Sequence, residues 1–304
     1  MRGVFIDANG SLADIFERQN AAGDPPVRIN RDADIAPGQI PAALDGGEII
    51  IIDHTALPTG VARRCIGLKH VVFLGTGARS YMNPEELAGL GIEVHLIKGY
   101  GDAAVAECAI ALMWASARGL AAMDREIRAG NWLREDGMQL TGKTLGLIGF
   151  GGIAAEAARI ALGSGMKVIA WNRTPKHFPG VDFVTLDMLL ARSDVISLHL
   201  LLNDETRGFL SGQRIAAMKP GVLFVNTARG ALVDEAAMID ALKSGHIRHA
   251  GLDVFDVEPL PADHPLTKLP NVTLSAHSAF RTPEASENLI AAAWEHCRRI
   301  AKGK

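Results

Sequence analysis

The sequence predicts an α/β chain of two Rossmann-like, doubly wound parallel-sheet domains, and three features point there. Short apolar strands alternate with helical stretches along the chain. A glycine loop at 149–154 sits between one such strand and a helix. Beyond it, three strand patterns each lead into a titratable residue: Arg229 after V-L-F-V-N, Glu258 after H-A-G-L-D-V and His277 after V-T-L-S-A. In an open parallel sheet, ligands sit beyond the carboxyl ends of the strands, so these three side chains are expected at one edge.

The elements follow in order. Strands are expected near 4–7 and at 27–30, 48–53, 70–75 and 92–97, punctuated by Pro, Gly and Asp. They read as a flavodoxin-like β/α domain with no phosphate loop of its own. A helical pattern covers 103–129, apolar on most faces in its first half, with Gly119 marking a bend. From 144 the rhythm resumes, with strands expected at 144–149, 167–172, 194–199, 221–226, 249–254 and 271–275. The terminal helical stretch from Pro283 is predicted to return to the first domain.

The loop Gly149-Phe150-Gly151-Gly152-Ile153-Ala154 matches the G-x-G-x-x-G/A fingerprint. Gly149 permits the tight turn, Gly151 lets the backbone approach a pyrophosphate, and Ala154 allows close helix–strand packing. The free N–H groups of the following helix, opened by Gly152 and Ile153, favour phosphate. The next strand ends in Asn172-Arg173-Thr174, where a carboxylate for the ribose 2′-hydroxyl would usually stand. No carboxylate is there to repel a 2′-phosphate, and Arg173 is placed to pair with one, so NADP is favoured over NAD. The expected division is a substrate domain of 1–98 plus 281–304 and a dinucleotide-binding Rossmann domain of 99–280.

Composition narrows the class. Hydrophobic residues make up 48% and aromatics only 5%, so aliphatic side chains must fill the cores, as suits parallel sheets covered by helices. Net charge is −3, from 31 basic and 34 acidic residues without a long basic run, and nucleic acid is not an expected partner. The three cysteines, Cys65, Cys108 and Cys297, are scattered, and no Cys/His cluster in the sequence suggests a metal site. The N-terminus lacks the apolar core of a signal peptide and no apolar run spans a bilayer, so the expected setting is cytoplasmic, without a membrane.

In order and spacing, V-A-E at 105–107, G-K-T-L-G-L-I-G-F-G-G-I at 142–153, S-L-H-L at 197–200, N-T-A-R-G-A-L-V-D at 226–234, G-L-D-V-F-D-V-E-P at 251–259 and the histidine of S-A-H-S-A resemble the D-isomer-specific 2-hydroxyacid dehydrogenase family. The likeness covers essentially the whole chain and points to the glyoxylate/hydroxypyruvate reductase-like members. It implies an NAD(P)-dependent oxidoreductase interconverting a small 2-keto acid and its D-2-hydroxy acid. By the same likeness Arg229 binds the substrate carboxylate, His277 is the general acid/base and Glu258 its partner. Asp253 would meet the nicotinamide carboxamide, with Thr206, Thr227 and Ala228 as further cofactor contacts. Thr76 and Gly77 match a turn whose N–H groups hold the substrate carboxylate, and the resemblance implies a homodimer assembled through the nucleotide domains. The chain departs from the family at G-T-G-A-R-S-Y-M-N, 75–83, which leaves the substrate open and makes Arg79, with His54 in the loop before it, a candidate specificity residue. Two alternatives stay open: the same fold oxidising a different small oxyanion, and a dinucleotide-sensing interaction protein with little turnover.

Overall fold

Alternating apolar strands and helices form two compact units in the computed structural model, which describes residues 1–174 and 176–303. The first unit is Met1–Gly101 with Thr282–Lys304 and the second is Asp102–Arg281.

The first unit holds β1 (Gly3–Phe5), β2 (Val27–Ile29), β3 (Ile49–Ile52), β4 (His70–Phe73) and β5 (Glu93–Leu96), all parallel, in the order β2-β1-β3-β4-β5. This is the flavodoxin-like order. The central strand β3 is four isoleucines in a row, each fully buried. An uninterrupted apolar run marks a strand covered on both faces, where alternation would mark one open face. One cover is the helix Pro283–Ala301, whose Trp294 stacks on Phe16 at 4.2 Å between ring centroids. Arg298 anchors its far end through two hydrogen bonds to Asp24, at 2.7 and 2.8 Å.

The second unit holds β6 (Thr144–Ile148), β7 (Lys167–Trp171), β8 (Val181–Phe183), β9 (Val195–Leu198), β10 (Val222–Asn226), β11 (Ile247–Leu252) and β12 (Val272–Leu274). Their order is β12-β11-β10-β9-β6-β7-β8, again all parallel. The strand order reverses between β6 and β9, the switch point at which a dinucleotide binds. The sheet has seven strands where six were expected. The extra one, β8, is the three-residue edge strand V-D-F, too short to show a period in sequence. The helical pattern 103–129 divides into Asp102–Arg118 and Leu120–Arg128 at Gly119, with a bend of 66°. Among the described residues, no single helix is long and apolar enough to cross a membrane.

Candidate active site

Three adjacent strands of the second unit, β10, β11 and β12, deliver the expected residues to one sheet edge. At the end of β10, the buried Asn226 folds the turn that presents Arg229. Its Oδ1 accepts from the Ala228 N–H at 2.9 Å and its Nδ2 donates to the Arg229 carbonyl at 3.0 Å. The Arg229 guanidinium, half-buried, donates to the Ala228 carbonyl at 2.7 Å through one of its five N–H groups. Gly230 follows because nothing larger fits: a Cβ there would stand 2.0 Å from the Phe255 carbonyl carbon. The backbone after β10 therefore runs against the backbone after β11.

Asp253, just beyond β11, is fully buried. Its Oδ1 accepts from the Ser275 hydroxyl at 2.6 Å and the Ser278 N–H at 3.0 Å, and its Oδ2 from the Ala279 N–H at 3.0 Å. A carboxylate out of water needs such donors, and here they fix the loop that carries His277. His277 itself sits at φ 47°, a left-handed conformation unusual for a non-glycine residue, held by its N–H donating to the Asp253 carbonyl at 2.7 Å. Its Nδ1 lies 2.6 Å from Glu258 Oε2, while Glu258 Oε1 accepts from the Phe255 N–H at 2.9 Å. With Nδ1–H donated to the carboxylate, Nε2 is the ring atom left to exchange a proton. The side chain is about one-third exposed, 36%, so that atom can meet a ligand.

The glycine loop follows β6. Gly149 takes φ 87°, and a Cβ there would come within 2.6 Å of the His199 carbonyl oxygen, so only glycine turns here. A Cβ on Gly151 would meet nothing within 4 Å: the loop backbone faces open space at the start of the helix Gly152–Gly163. Ile153 and the fully buried Ala154 pack beneath it. Thr227 Oγ1 is buried yet has no hydrogen-bond partner among the described residues. An open glycine cradle at a helix N-terminus and an orphaned hydroxyl beyond β10 fit a nicotinamide dinucleotide.

Some expected cofactor residues have other partners. Asn172 Oδ1 accepts from the Phe150 N–H at 3.0 Å and its Nδ2 donates to the Thr174 carbonyl at 2.8 Å, so it braces the glycine loop. Arg173 pairs with Glu205 at 2.9 Å, both largely exposed. The Thr206 hydroxyl donates to the Leu201 carbonyl at 2.6 Å and closes its own turn. Sequence reasoning missed Lys176, whose Nζ donates to the Phe150 carbonyl at 2.6 Å; a second cation after β7 was the available signal.

Within the first unit, Asp7 has the same role as Asp253. Fully buried beyond β1, it accepts from the N–H groups of Asp53, His54 and Thr55 at 2.9, 2.8 and 2.7 Å. The V-F-I-D strand end was its signal. The His54 ring is engaged at both nitrogens, Nδ1 with Asp53 at 3.2 Å and Nε2 with the Ala33 carbonyl at 2.7 Å. The hydrogen bond to Asp53, opposed by desolvation and reinforced by the Asp7 charge, raises its pKa to about 9. Thr76 is exposed and Gly77 half-buried, and their N–H groups donate to no described residue. Arg79 pairs with Glu85 on the surface.

Residues 110–279 match the family model described as D-isomer specific 2-hydroxyacid dehydrogenase, NAD binding domain. The chain is 43% identical over 247 residues to a hydroxypyruvate reductase of Thermotoga maritima, covering 79% of this chain and 80% of that one. It is 39% identical over 228 residues to a glyoxylate reductase of Aeropyrum pernix, covering 71% and 68%. A glyoxylate reductase structure from Paecilomyes thermophila aligns over 100% of this chain and 96% of its own, with a TM-score of 0.88 at 29% identity. The glycine cradle, the paired histidine and these likenesses agree: the chain belongs to the D-isomer specific 2-hydroxyacid dehydrogenase family of oxidoreductases.

Proposed function

We propose that this chain reduces a small 2-keto acid to its D-2-hydroxy acid, with glyoxylate and hydroxypyruvate as first substrates and NADPH as the preferred reductant. The observation that carries this reading is the 2.6 Å contact between His277 Nδ1 and Glu258, on a sheet edge whose neighbouring strand leads to Arg229. When bound, the nicotinamide supplies the hydride. Arg229 holds the substrate carboxylate through its planar fork and stabilises the charge that develops on the keto oxygen. His277 Nε2 delivers its proton to the keto oxygen, and Glu258 stabilises the imidazolium that does so. In the reverse direction the neutral Nε2 takes the hydroxyl proton. Asp253 contributes by fixing the His277 loop.

NADPH preference is supported by the lack of a carboxylate at 172 and by Arg173, whose exposed ion pair with Glu205 is weak enough to exchange for a phosphate. Thr174 and Lys176 add a hydroxyl and a second cation. A homodimer is supported by the exposed apolar side chains of Leu120, Ile127 and Trp132, the last 77% exposed. The test is a panel of 2-keto acids assayed with NADPH and with NADH. Turnover of glyoxylate or hydroxypyruvate with the higher kcat/KM for NADPH is expected. No turnover of any 2-keto acid by well-folded protein would overturn the assignment.

A further inference from the structure

At the amino ends of β4 and β5, opposite the loops at their carboxyl ends, three potential metal ligands converge. His70 opens β4 and Glu93 opens β5. The parallel register sets them side by side, and His95 follows two residues after Glu93 on the same face of the sheet. His70 Nδ1 lies 3.1 Å from His95 Nε2, and Glu93 Oε2 lies 3.7 Å from each of those nitrogens. A triangle with sides of 3.1, 3.7 and 3.7 Å has a circumradius of about 2.0 Å, which is the length of a Zn–N or Zn–O bond. With bonds of about 2.1 Å, one cation would stand roughly 0.5 Å out of the plane of the three atoms, leaving a fourth position open.

Hydrogen bonding alone uses these atoms poorly. The two imidazoles satisfy one donor and one acceptor between them, and the carboxylate oxygen stays beyond hydrogen-bond range of both rings. A second observation comes from the helix Pro283–Ala301, which covers this face. His296 on that helix has its ring 5.5 Å from that of His95, and its Nδ1 is buried without a partner among the described residues. Access is graded: the His95 side chain is 8% exposed and that of Glu93 68%, so an ion enters past the carboxylate. Two imidazoles and one carboxylate suit zinc and its transition-metal neighbours, while magnesium and calcium prefer all-oxygen sites.

The geometry points to a divalent metal site of the zinc class held by His70, Glu93 and His95, with water in the fourth position and the His296 ring beside it. Such an ion clamps the short edge strand β5 to β4. It is a structural site, independent of the residues assigned to 2-keto acid reduction, and it stands whether or not that assignment does.

The test uses the full chain, stripped with chelator and then titrated with Zn²⁺. Bound metal is counted after dialysis, and Co²⁺ reports geometry through its visible absorption. We expect about one zinc per chain, a tetrahedral-type cobalt spectrum and a melting temperature raised by zinc. Because His95 is buried, the variants are placed at the open side. His70→Asn and Glu93→Gln should each weaken zinc binding by at least about tenfold while leaving reductase turnover unchanged. His177→Asn, an exposed histidine elsewhere, should change neither. A wild-type chain that retains no zinc, or variants that retain as much as wild type, would overturn the site.

Discussion

His277 sits at φ 47° with its Nδ1 locked to Glu258, so both its backbone and its tautomer are set by neighbours. General acid–base groups contribute about 10²–10⁴-fold, and His277→Ala should lower kcat by that amount. Dinucleotide binding, followed by fluorescence titration, should stay near wild type, since the glycine cradle is untouched. Near wild-type turnover would remove His277 from the mechanism. Arg229→Lys keeps the charge but loses the two-point fork. Losing one charge-assisted hydrogen bond costs about 1.5–3 kcal/mol, so kcat/KM should fall by roughly 10–150-fold. A loss under about threefold would mean that Arg229 holds no carboxylate in that manner.

At the scale of elements, the turn after β10 and the turn after β11 share one space. Gly230→Ala would drive a methyl into the Phe255–Asp256 peptide, which is backbone and cannot rotate away. We expect displaced Arg229 and Glu258 turns, kcat/KM reduced at least about tenfold and a lower melting temperature, consistent with overpacking costs of about 1–3 kcal/mol. Wild-type kinetics in this variant would show that the two turns move independently. The strand end at 172–174 is where the proposed NADPH preference is tested. Asn172→Asp with Arg173→Ala should shift the kcat/KM ratio from NADPH toward NADH, and the wild-type preference should weaken with salt because Arg173 is exposed. Asn172 also braces Phe150, so Arg173→Ala alone separates the charge effect from the loop effect. Equal or better use of NADH by wild type would sink the preference.

For the molecule as a whole, pH should act on His54 in the first unit and His249 in the second on opposite sides of neutrality. In the first unit, His54 is raised to about 9, chiefly by its hydrogen bond to Asp53. A raised histidine stabilises fully below its unfolded value of about 6.5, and that contribution is lost as pH rises through about 9. In the second unit, the buried His249, hydrogen-bonded to Thr273 at 2.9 Å, is lowered to about 4 by burial and then by the nearby Arg125 and Arg248. Its contribution is present above about 6.5 and lost as pH falls through about 4. Hydrogen exchange across pH should therefore show the 53–55 loop loosening on the alkaline side and the β11–β12 pair on the acid side. His54→Gln should flatten the alkaline limb; an unchanged limb would remove His54 as its cause. Trp132→Glu should shift the proposed dimer toward monomer in light scattering, and an unchanged mass would exclude that surface.

The fold class was legible in the sequence because parallel strands buried on both faces leave long aliphatic runs, such as Ile49–Ile52, and a glycine fingerprint leaves a fixed spacing. The placement of Arg229, Glu258 and His277 beyond three adjacent strands was legible because each follows a strand pattern, and parallel topology sends all such ends to one edge. What the sequence hid was pairing. Nothing in the order of residues tells that the Asp253 carboxylate holds Ser275, Ser278 and Ala279, that Asn172 serves Phe150, or that β8 exists as an edge. The metal ligands show the same limit: His70 and His95 lie 25 residues apart and match no metal motif. Only strand register brings them to 3.1 Å. Periodicity and spacing record which face a residue occupies, whereas which face it meets is set by long-range packing, and that is decided in three dimensions.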